Sequence, residues 1–254
     1  MATSLPVLTF HALDDAGSVT SCHPGVFEHG LARLQALGYR TMRLPEALAC
    51  LRQRRPFPER AFVVTFDDGF QSAYTKGFPM LQRHGMSATV FLTVGPARAP
   101  RPGGRLPPFE GRTMLSWSEI REMQAGGIEF GAHTLTHPDL TGMPADRIAV
   151  EMSASKALIE DVLGTPVTTF AYPFGRYDAR SHRIAQQFFS CACADTLGLL
   201  STHSDPYALE RVDAYYLRTD RLFALMGTAL FPWYVRGRNV PRRLRRSLQE
   251  RWRA

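Results

Sequence analysis

Short apolar runs alternate with amphipathic segments along most of the chain. The apolar runs are rich in Val, Phe and Thr, which is typical of β-strands that are buried on both faces. They predict eight strands, at Pro6–Phe10, Tyr39–Arg43, Ala61–Phe66, Ala88–Val94, Ile128–Ala132, Thr168–Ala171, Phe189–Ala194 and Leu209–Val212.

The segments between these runs carry apolar residues at helical spacing. They predict six helices, at Val26–Leu37, Pro45–Arg54, Tyr74–His84, Ser118–Ala125, Ala145–Leu163 and Ala179–Gln187. Ser116 and Glu119 have the form of a capping box at the start of the fourth helix. Strands that alternate with helices form a mostly parallel sheet. Because about eight strands in 254 residues suit a closed sheet, we predict an α/β barrel, or a distorted relative of one, rather than an open sheet.

The charge of the chain is concentrated at its C-terminus. The 254 residues include 30 Lys and Arg against 23 Asp and Glu, which gives a net charge of +7. Residues 236–254 hold eight arginines and one acid, so residues 1–235 contain 22 bases and 22 acids. A balanced body without a recognition motif argues against a nucleic-acid partner.

The N-terminus, MATSLPVLTF, lacks the basic and apolar regions of a signal peptide. The longest uncharged apolar run, Leu222–Val235, is shorter than the roughly 20 residues of a membrane span. We therefore expect a cytoplasmic protein with a barrel in residues 1–220 and an apolar segment plus Arg-rich tail in residues 221–254. Either this last part contacts an anionic membrane or lipid phosphate, or the apolar run is a final helix over the barrel and a solvated tail follows it.

Gly95–Gly111 contains five prolines and four glycines, which excludes regular structure there. The segment is either a surface excursion or a flap over a functional site. Cys191 and Cys193 share one face of a predicted strand, and we expect them to belong to the core rather than to bind metal.

Polar residues gather where predicted strands end, which is where the catalytic groups of parallel barrels lie. Asp67 and Asp68 follow the third strand, His133 and His137 follow the fifth, and His11 follows the first. Two adjacent carboxylates repel each other unless they share a cation or a proton, although Asp68 before a glycine is also a common turn. Two histidines at this spacing reach one metal ion, and with a carboxylate they make the three-ligand set of a catalytic zinc site.

Several motifs carry a resemblance to a known family. These are Pro6-Val7-Leu8-Thr9-Phe10-His11, Thr65-Phe66-Asp67-Asp68-Gly69, His133-Thr134-Leu135-Thr136-His137 and Phe170-Ala171-Tyr172-Pro173-Phe174-Gly175. In this order and spacing the chain resembles the polysaccharide deacetylases (NodB-homology domain, carbohydrate esterase family 4) over about residues 5–215. The resemblance implies a distorted (β/α)7, TIM-like barrel and a metal-dependent hydrolase that acts on N-acyl sugars.

The resemblance implies that Asp68, His133 and His137 bind a divalent metal ion, and that Asp67 is the general base. Zn²⁺ is the expected ion, with Co²⁺ or Ni²⁺ as alternatives. Such an ion lowers the pKa of water to about 7 and polarises the amide carbonyl. We expect the ion and the backbone N–H of Phe174 to stabilise the oxyanion.

Two features depart from the family pattern. Ala171 stands where many members carry an arginine near the catalytic aspartate, and the late His motif that supplies the general acid is not recognisable. We hypothesise that His11 is the substitute acid. A structural His11 is the alternative, and His203 is a weaker candidate.

Residues beside the motifs are candidates for substrate contact. Aromatic faces stack on sugar rings, which makes Tyr172 and Trp117 candidates along with Phe174. Core packing is the alternative for Trp117, which begins a predicted helix. Arg176 either binds substrate or only orders its loop, and Arg211 cannot be placed.

We therefore predict a metal-dependent hydrolase that removes an N-acetyl or other N-acyl group from a saccharide by cleaving a non-peptide carbon–nitrogen bond. One alternative is an amidohydrolase or deformylase that acts on a non-polymeric or lipid-linked substrate. The other is a non-catalytic glycan-binding domain, which would not need Asp67, Asp68, His133 and His137 together.

Overall fold

A closed parallel barrel forms the centre of the computed structural model, which describes residues 2–95 and 104–239. The strands of its sheet are β1 (Val7–Phe10), β2 (Arg40–Thr41), β3 (Ala61–Phe66), β4 (Thr89–Leu92), β5 (Glu129–Ala132), β6 (Thr169–Ala171), β7 (Cys191–Leu197) and β8 (Leu209–Asp213). Their order is β1-β8-β7-β6-β5-β4-β3-β2, and β1 also pairs with β3. Seven strands therefore close the barrel, and β2 pairs with the start of β3 outside it. The predicted (β/α)7 barrel is confirmed.

Helices follow most of the strands and cover the outside of the barrel. They are α1 (Pro24–Ala36), α2 (Leu44–Arg52), α3 (Phe78–Arg83), α4 (Trp117–Ala125), α5 (Ala145–Leu163), α6 (Ala179–Phe188), α7 (Asp220–Ala224) and α8 (231–239). A π-helical turn, Ala73–Gly77, precedes α3 within the segment predicted as one helix. The predicted capping box of Ser116 and Glu119 is present at the start of α4.

Alternate residues of the strands face two different cores. Val7, Val63 and Phe91 point into the barrel, where they pack with the buried Cys191 and Cys193 and with α2. The neighbouring side chains on each strand point outward and pack against the covering helices. Both cysteines are free core residues, as predicted.

The inside of the barrel becomes polar toward the carboxyl ends of the strands. The hydroxyls of Thr9 and Thr65 lie 3.1 Å apart. Above them Arg211 and Asp67 are also buried. The strands therefore direct a group of polar side chains to the mouth of the barrel, where the functional site lies.

The segment after β8 packs onto the outside of the barrel. Phe223, Met226, Phe231 and Val235 are buried in the outer core. The Tyr234 hydroxyl donates to the Tyr216 carbonyl at 2.6 Å. Among residues 2–95 and 104–239, no helix combines the length and apolar character needed to cross a bilayer. Residues 240–254, which hold most of the Arg-rich tail, lie outside the described residues.

Candidate active site and metal centre

Three predicted metal ligands converge at the barrel mouth. Oδ1 of Asp68 lies 3.4 Å from Nε2 of His133 and 3.4 Å from Nε2 of His137. One possible ligand atom from each residue falls within 4.8 Å of the others. Asp68 follows β3 and the histidines follow β5, so the parallel barrel brings the ends of both strands to one place.

The two imidazoles each present Nε2 to Asp68. The Nδ1–H of His133 donates to the carbonyl of Ala171 at 2.7 Å, so Nε2 is the nitrogen of this ring that is available to a metal ion. Burial, with His133 nearby, lowers the pKa of His137 to about 4, so this ring is neutral at pH 7. Burial acts against a charge on His133, yet Asp68 and Asp67 raise its pKa, because the site attracts positive charge. A carboxylate and two imidazoles are a donor set that Zn²⁺ accepts, so the residues fit a divalent ion.

The loop that carries the histidines is held by Glu151 on α5. Its Oε2 accepts the backbone N–H of Leu135 at 2.8 Å and that of Thr136 at 3.0 Å. Its Oε1 accepts the Thr136 hydroxyl at 2.7 Å. Glu151 thus fixes the backbone between the two histidines from a helix that contributes no ligand.

Backbone strain is concentrated at this site. Four of the seven non-glycine residues with positive φ in the described chain belong to its motifs: Asp68 (71°), Thr134 (69°), His137 (57°) and Phe174 (56°). Residues other than glycine rarely adopt a positive φ, and backbone strain of this kind is typical of functional sites.

Asp67 is paired with Arg211, which reaches it from β8. The guanidinium donates from Nη1 to Oδ1 and from Nη2 to Oδ2, both at 2.8 Å. Arg211 is anchored in turn by a bond from Nε to the Ala194 carbonyl at 3.0 Å. Burial raises the pKa of Asp67, but the charge and hydrogen bonds of Arg211, together with His133 and His11 nearby, hold that pKa well below its usual range. Asp67 is therefore ionised at neutral pH.

Sequence reasoning did not place Arg211, although its strand carried a signal. Arg211 lies two residues after the buried Leu209 and thus on the inward face of β8. A charged residue at an inward position of a barrel strand needs a buried partner of opposite charge. The cation that the family pattern places near this aspartate thus comes from β8, while Ala171 on β6 is buried in the core.

His11 lies beside Asp67, because β1 pairs with β3. Its Nε2 is 4.0 Å from Oδ2 of Asp67, and both residues line the same cavity. His203 is an exposed residue between β7 and β8 and is not among the described residues that line the cavity.

The cavity has a volume of about 370 Å³ and opens at the barrel mouth. Its described lining includes Asp67, Asp68, His11, His133, His137, Arg211 and Phe174, with Val19, Thr20, Phe109, Glu110 and Tyr215 among the others. Phe174 is 56% exposed, and its ring and that of Phe109 each lie 4.7 Å from the ring of His137. The following Gly175 has φ +62°, and a Cβ there would lie 2.1 Å from Cβ of Asp195.

Three predicted substrate residues do not reach the cavity lining of the described structure. Trp117 is buried in the outer core as the first residue of α4, and Tyr172 is fully buried, with its hydroxyl donating to the Tyr207 carbonyl at 3.0 Å. Arg176 pairs with Asp139 at 3.0 Å on the surface. Core packing therefore explains the positions of Trp117 and Tyr172, and the ion pair with Asp139 orders the loop that carries Arg176.

Comparisons with known proteins agree with this geometry. A model of the polysaccharide deacetylase family matches residues 54–188. YxkH of Bacillus subtilis (strain 168), which carries the name of a polysaccharide deacetylase, is 28% identical over 209 residues, which are 82% of this chain and 70% of that protein.

Two further relatives differ in how much of them is covered. The poly-beta-1,6-N-acetyl-D-glucosamine N-deacetylase of Escherichia coli (strain K12) is 28% identical over 136 residues, which are 50% of this chain but only 20% of that protein. The structure of IcaB from Ammonifex degensii superimposes with a TM-score of 0.73 and 26% identity over 90% of this chain and 99% of that one. The chain belongs to the polysaccharide deacetylase family of hydrolases, which act on carbon–nitrogen bonds other than peptide bonds.

Proposed function

We propose that the chain removes the N-acetyl group from an N-acetylated saccharide by metal-assisted hydrolysis. The observation that carries the proposal is the juxtaposition of an ionised Asp67, His11 at 4.0 Å from it, and the Asp68, His133 and His137 cluster in one cavity. The Escherichia coli relative, named for an N-acetylglucosamine polymer, supports this amide as the substrate group.

Asp68, His133 and His137 would hold the divalent ion, with Zn²⁺ as the proposed ion. When bound, such an ion increases the acidity of water and polarises an amide carbonyl. Asp67 accepts the proton of the attacking water. Each of its oxygens takes one hydrogen bond from Arg211, and each keeps a second lone pair for this proton.

The remaining steps use the backbone of Phe174 and the side chain of His11, which both line the cavity. The backbone N–H of Phe174 donates to the oxyanion that forms when water attacks the carbonyl carbon. His11 donates a proton to the sugar nitrogen as the carbon–nitrogen bond breaks. The products are acetate and a free amine on the sugar.

The test is acetate release from β-1,6- and β-1,4-linked N-acetylglucosamine oligomers by the zinc-loaded protein. Asp67→Asn should lower turnover by about 10²- to 10⁴-fold, the usual contribution of a positioned base. Asp68→Asn serves as the metal-deficient blank. Asp205→Asn, whose side chain pairs with His182 and is absent from the described cavity lining, is the matched control. No acetate from any saccharide despite stoichiometric metal would contradict the proposal, and hydrolysis of simple amides or formamides instead would favour an amidohydrolase.

His11→Ala tests the acid separately. It should lower turnover by about 10²-fold or more and remove the decline of activity at alkaline pH that a protonated donor imposes. Near-native turnover with an unchanged pH profile would exclude the acid role.

The Arg-rich C-terminus supports a further partner, an anionic membrane surface or lipid phosphate. Trp233 is 68% exposed, and the guanidinium of Arg236 lies 5.6 Å from its ring. An exposed indole next to arginine suits an anionic interface. Removing residues 240–254, which hold six arginines and one acid, should reduce flotation with phosphatidylglycerol vesicles and leave turnover of soluble oligomers unchanged. Equal flotation of both proteins would refute this partner.

A further inference from the structure

A turn at Phe109–Arg112 forms one wall of the cavity. The backbone N–H of Arg112 donates to the carbonyl of Phe109 at 3.0 Å, and both central residues have positive φ, Glu110 at 50° and Gly111 at 68°. This is the geometry of a type I′ turn, in which a glutamate is uncommon because side chains disfavour positive φ. Phe109 and Glu110 both line the cavity.

Arg112 ties this turn to the facing loop between β1 and α1. Its side chain is 17% exposed. It donates from Nε to Asp14 at 2.8 Å, and from Nη2 to Ser18 at 2.9 Å and Ser21 at 3.0 Å. It also donates from Nη1 to Glu110 at 2.6 Å. One guanidinium thus joins two loops that approach the cavity from different parts of the chain.

The same arginine is connected to the metal cluster through aromatic rings. Its guanidinium carbon lies 5.2 Å from the ring of Phe70, and Phe70 stacks on Phe109 at 6.0 Å. Phe109 in turn contacts the ring of His137 at 4.7 Å. The position of Arg112 therefore determines where the wall stands relative to the metal ligands.

We propose that the Phe109–Arg112 turn is a specificity-determining element that accepts hydrogen bonds from saccharide hydroxyls through Glu110, and that Arg112 is its positioning residue. The inference rests on the proposed function and names the substrate class of the same cavity. Oε2 of Glu110 accepts bonds from Arg112 and from the Thr20 hydroxyl at 3.1 Å. A carboxylate accepts about four hydrogen bonds, so Glu110 retains acceptor capacity for a substrate.

The charge of the wall disfavours anionic saccharides. Asp14 and Glu110 share the single cation Arg112, so this cluster carries a net charge of −1. A negative wall repels substrates that carry carboxylate or sulfate groups. The cavity therefore selects neutral N-acetylated saccharides over uronate-containing or sulfated ones.

The closing experiment compares Arg112→Ala, Arg112→Lys and Arg105→Ala in the zinc-loaded protein. Arg105 is the matched control, because it lies in the same segment but bonds to Glu119 and the Met114 carbonyl, whereas Arg112 bonds to Glu110 and to the loop between β1 and α1. Arg112→Ala should raise KM for a neutral N-acetylglucosamine oligomer about tenfold with kcat within about twofold, the sign of lost uniform binding. Arg112→Lys should recover part of this change, and Arg105→Ala should match the wild type.

Two further measurements test the role of Glu110 and separate oligomer binding from turnover. Glu110→Gln should improve kcat/KM for a uronate-containing N-acetylated oligomer relative to the neutral one. Calorimetric binding of the neutral oligomer to Asp67→Asn, with and without Arg112→Ala, should show about tenfold weaker binding even if the wild type proves to release no acetate. The inference is overturned if kcat falls as much as KM rises, if Arg105→Ala has the same effect, or if oligomer binding is unchanged. A wild type that binds the oligomer without releasing acetate would instead contradict only the proposed function.

Discussion

Asp67 and Arg211 lie 144 residues apart in sequence, yet two parallel hydrogen bonds of 2.8 Å join them inside the barrel. The pair is buried, and the cation comes from β8 rather than from the third motif, where Ala171 stands. The same electrostatic partner of the aspartate can therefore be supplied from a different strand, because inward positions of neighbouring barrel strands converge on one axis.

Replacement of Arg211 should change the pH range over which Asp67 is ionised. Without the guanidinium, burial raises the pKa of Asp67, so in Arg211→Met the acidic decline of activity should move to higher pH. We expect turnover to fall about a hundredfold at neutral pH, the lower part of the range for a positioned base. The measurement is the pH profile of kcat/KM together with metal content.

Because an unpaired buried charge costs about 3–5 kcal/mol, Arg211→Lys is the second variant. It keeps a charge but not the two parallel bonds, and it should give intermediate turnover with full metal content. An unshifted pH profile in a folded Arg211→Met would show that Asp67 does not depend on this cation.

Glu151 should control metal affinity without touching the ion. In Glu151→Ala the backbone N–H groups of Leu135 and Thr136 lose their acceptor, so the spacing of the two histidines loosens. We expect zinc affinity, measured by competition with a chromogenic chelator, to fall about tenfold, the lower end for residues that orient ligands. Glu160→Ala on the same helix is the control, because its partners are Lys156 and the N–H of Val167. Equal affinities in the two variants would contradict this role.

Asp178 should make stability depend on pH. Its carboxylate accepts the N–H groups of Arg180 and Ser181 at the start of α6, and that of Gly142. Burial works in the opposite direction, but these bonds hold the pKa of Asp178 below its usual value. The stabilisation is therefore complete above the unfolded-state pKa of about 3.9 and is lost as pH falls through the lower folded-state pKa.

Asp178→Asn keeps the capping oxygen but not the charge. The wild type should melt a few degrees above this variant at pH 7, from about 1 kcal/mol of charge–dipole interaction. The difference should shrink in thermal unfolding curves below about pH 4. A difference that is constant from pH 7 to pH 3 would mean that charge plays no part.

Gly175 should tolerate no side chain. In Gly175→Ala a side chain is placed at a positive φ, and its Cβ would lie 2.1 Å from Cβ and 2.3 Å from the backbone N of Asp195. We therefore expect the free energy of unfolding to fall by at least about 3 kcal/mol. Gly127→Ala measures the cost of positive φ alone. Gly127 also has a positive φ, but no other group of the described chain lies within 4 Å of the place that its Cβ would take. This substitution should cost about 1 kcal/mol. Equal losses in urea unfolding would show that Asp195 moves aside.

Periodicity located the strands of the barrel but not the two small sheets formed by Ser4–Leu5 with Leu200–Ser201 and by Ala12–Leu13 with Ser21–Cys22. All eight predicted strands occur, and Ala61–Phe66 and Ala145–Leu163 have the predicted bounds. The convergence of Asp68, His133 and His137 was also predictable, because these residues follow strands whose ends must meet in a parallel barrel.

Residues that meet across the barrel were harder to predict. Arg211 and Glu110 reach the site from positions with no motif, and only closed strands and paired loops bring them there. Tyr172 and Trp117 were predicted to stack on sugar rings, because the sequence alone does not distinguish an aromatic residue of the core from one that binds a ligand. Their burial follows from the direction of their side chains, which sequence adjacency to a motif does not determine.

Closure of the barrel determines which of the functional residues a fragment of the chain can bring together. His11 and Asp67 follow β1 and β3, which pair with each other, and Arg211 on β8 joins them only when the last strand of the barrel pairs with the first. The pairing of β1 with β8 closes the longest loop of chain in the barrel and therefore carries a large cost in conformational entropy. A fragment limited to residues 54–188, the part that matches the family model, would contain all three proposed metal ligands but neither His11 nor Arg211. The proposed metal-binding residues thus lie within one continuous part of the chain, whereas the proposed proton donor and the partner of Asp67 come from the strands that close the barrel.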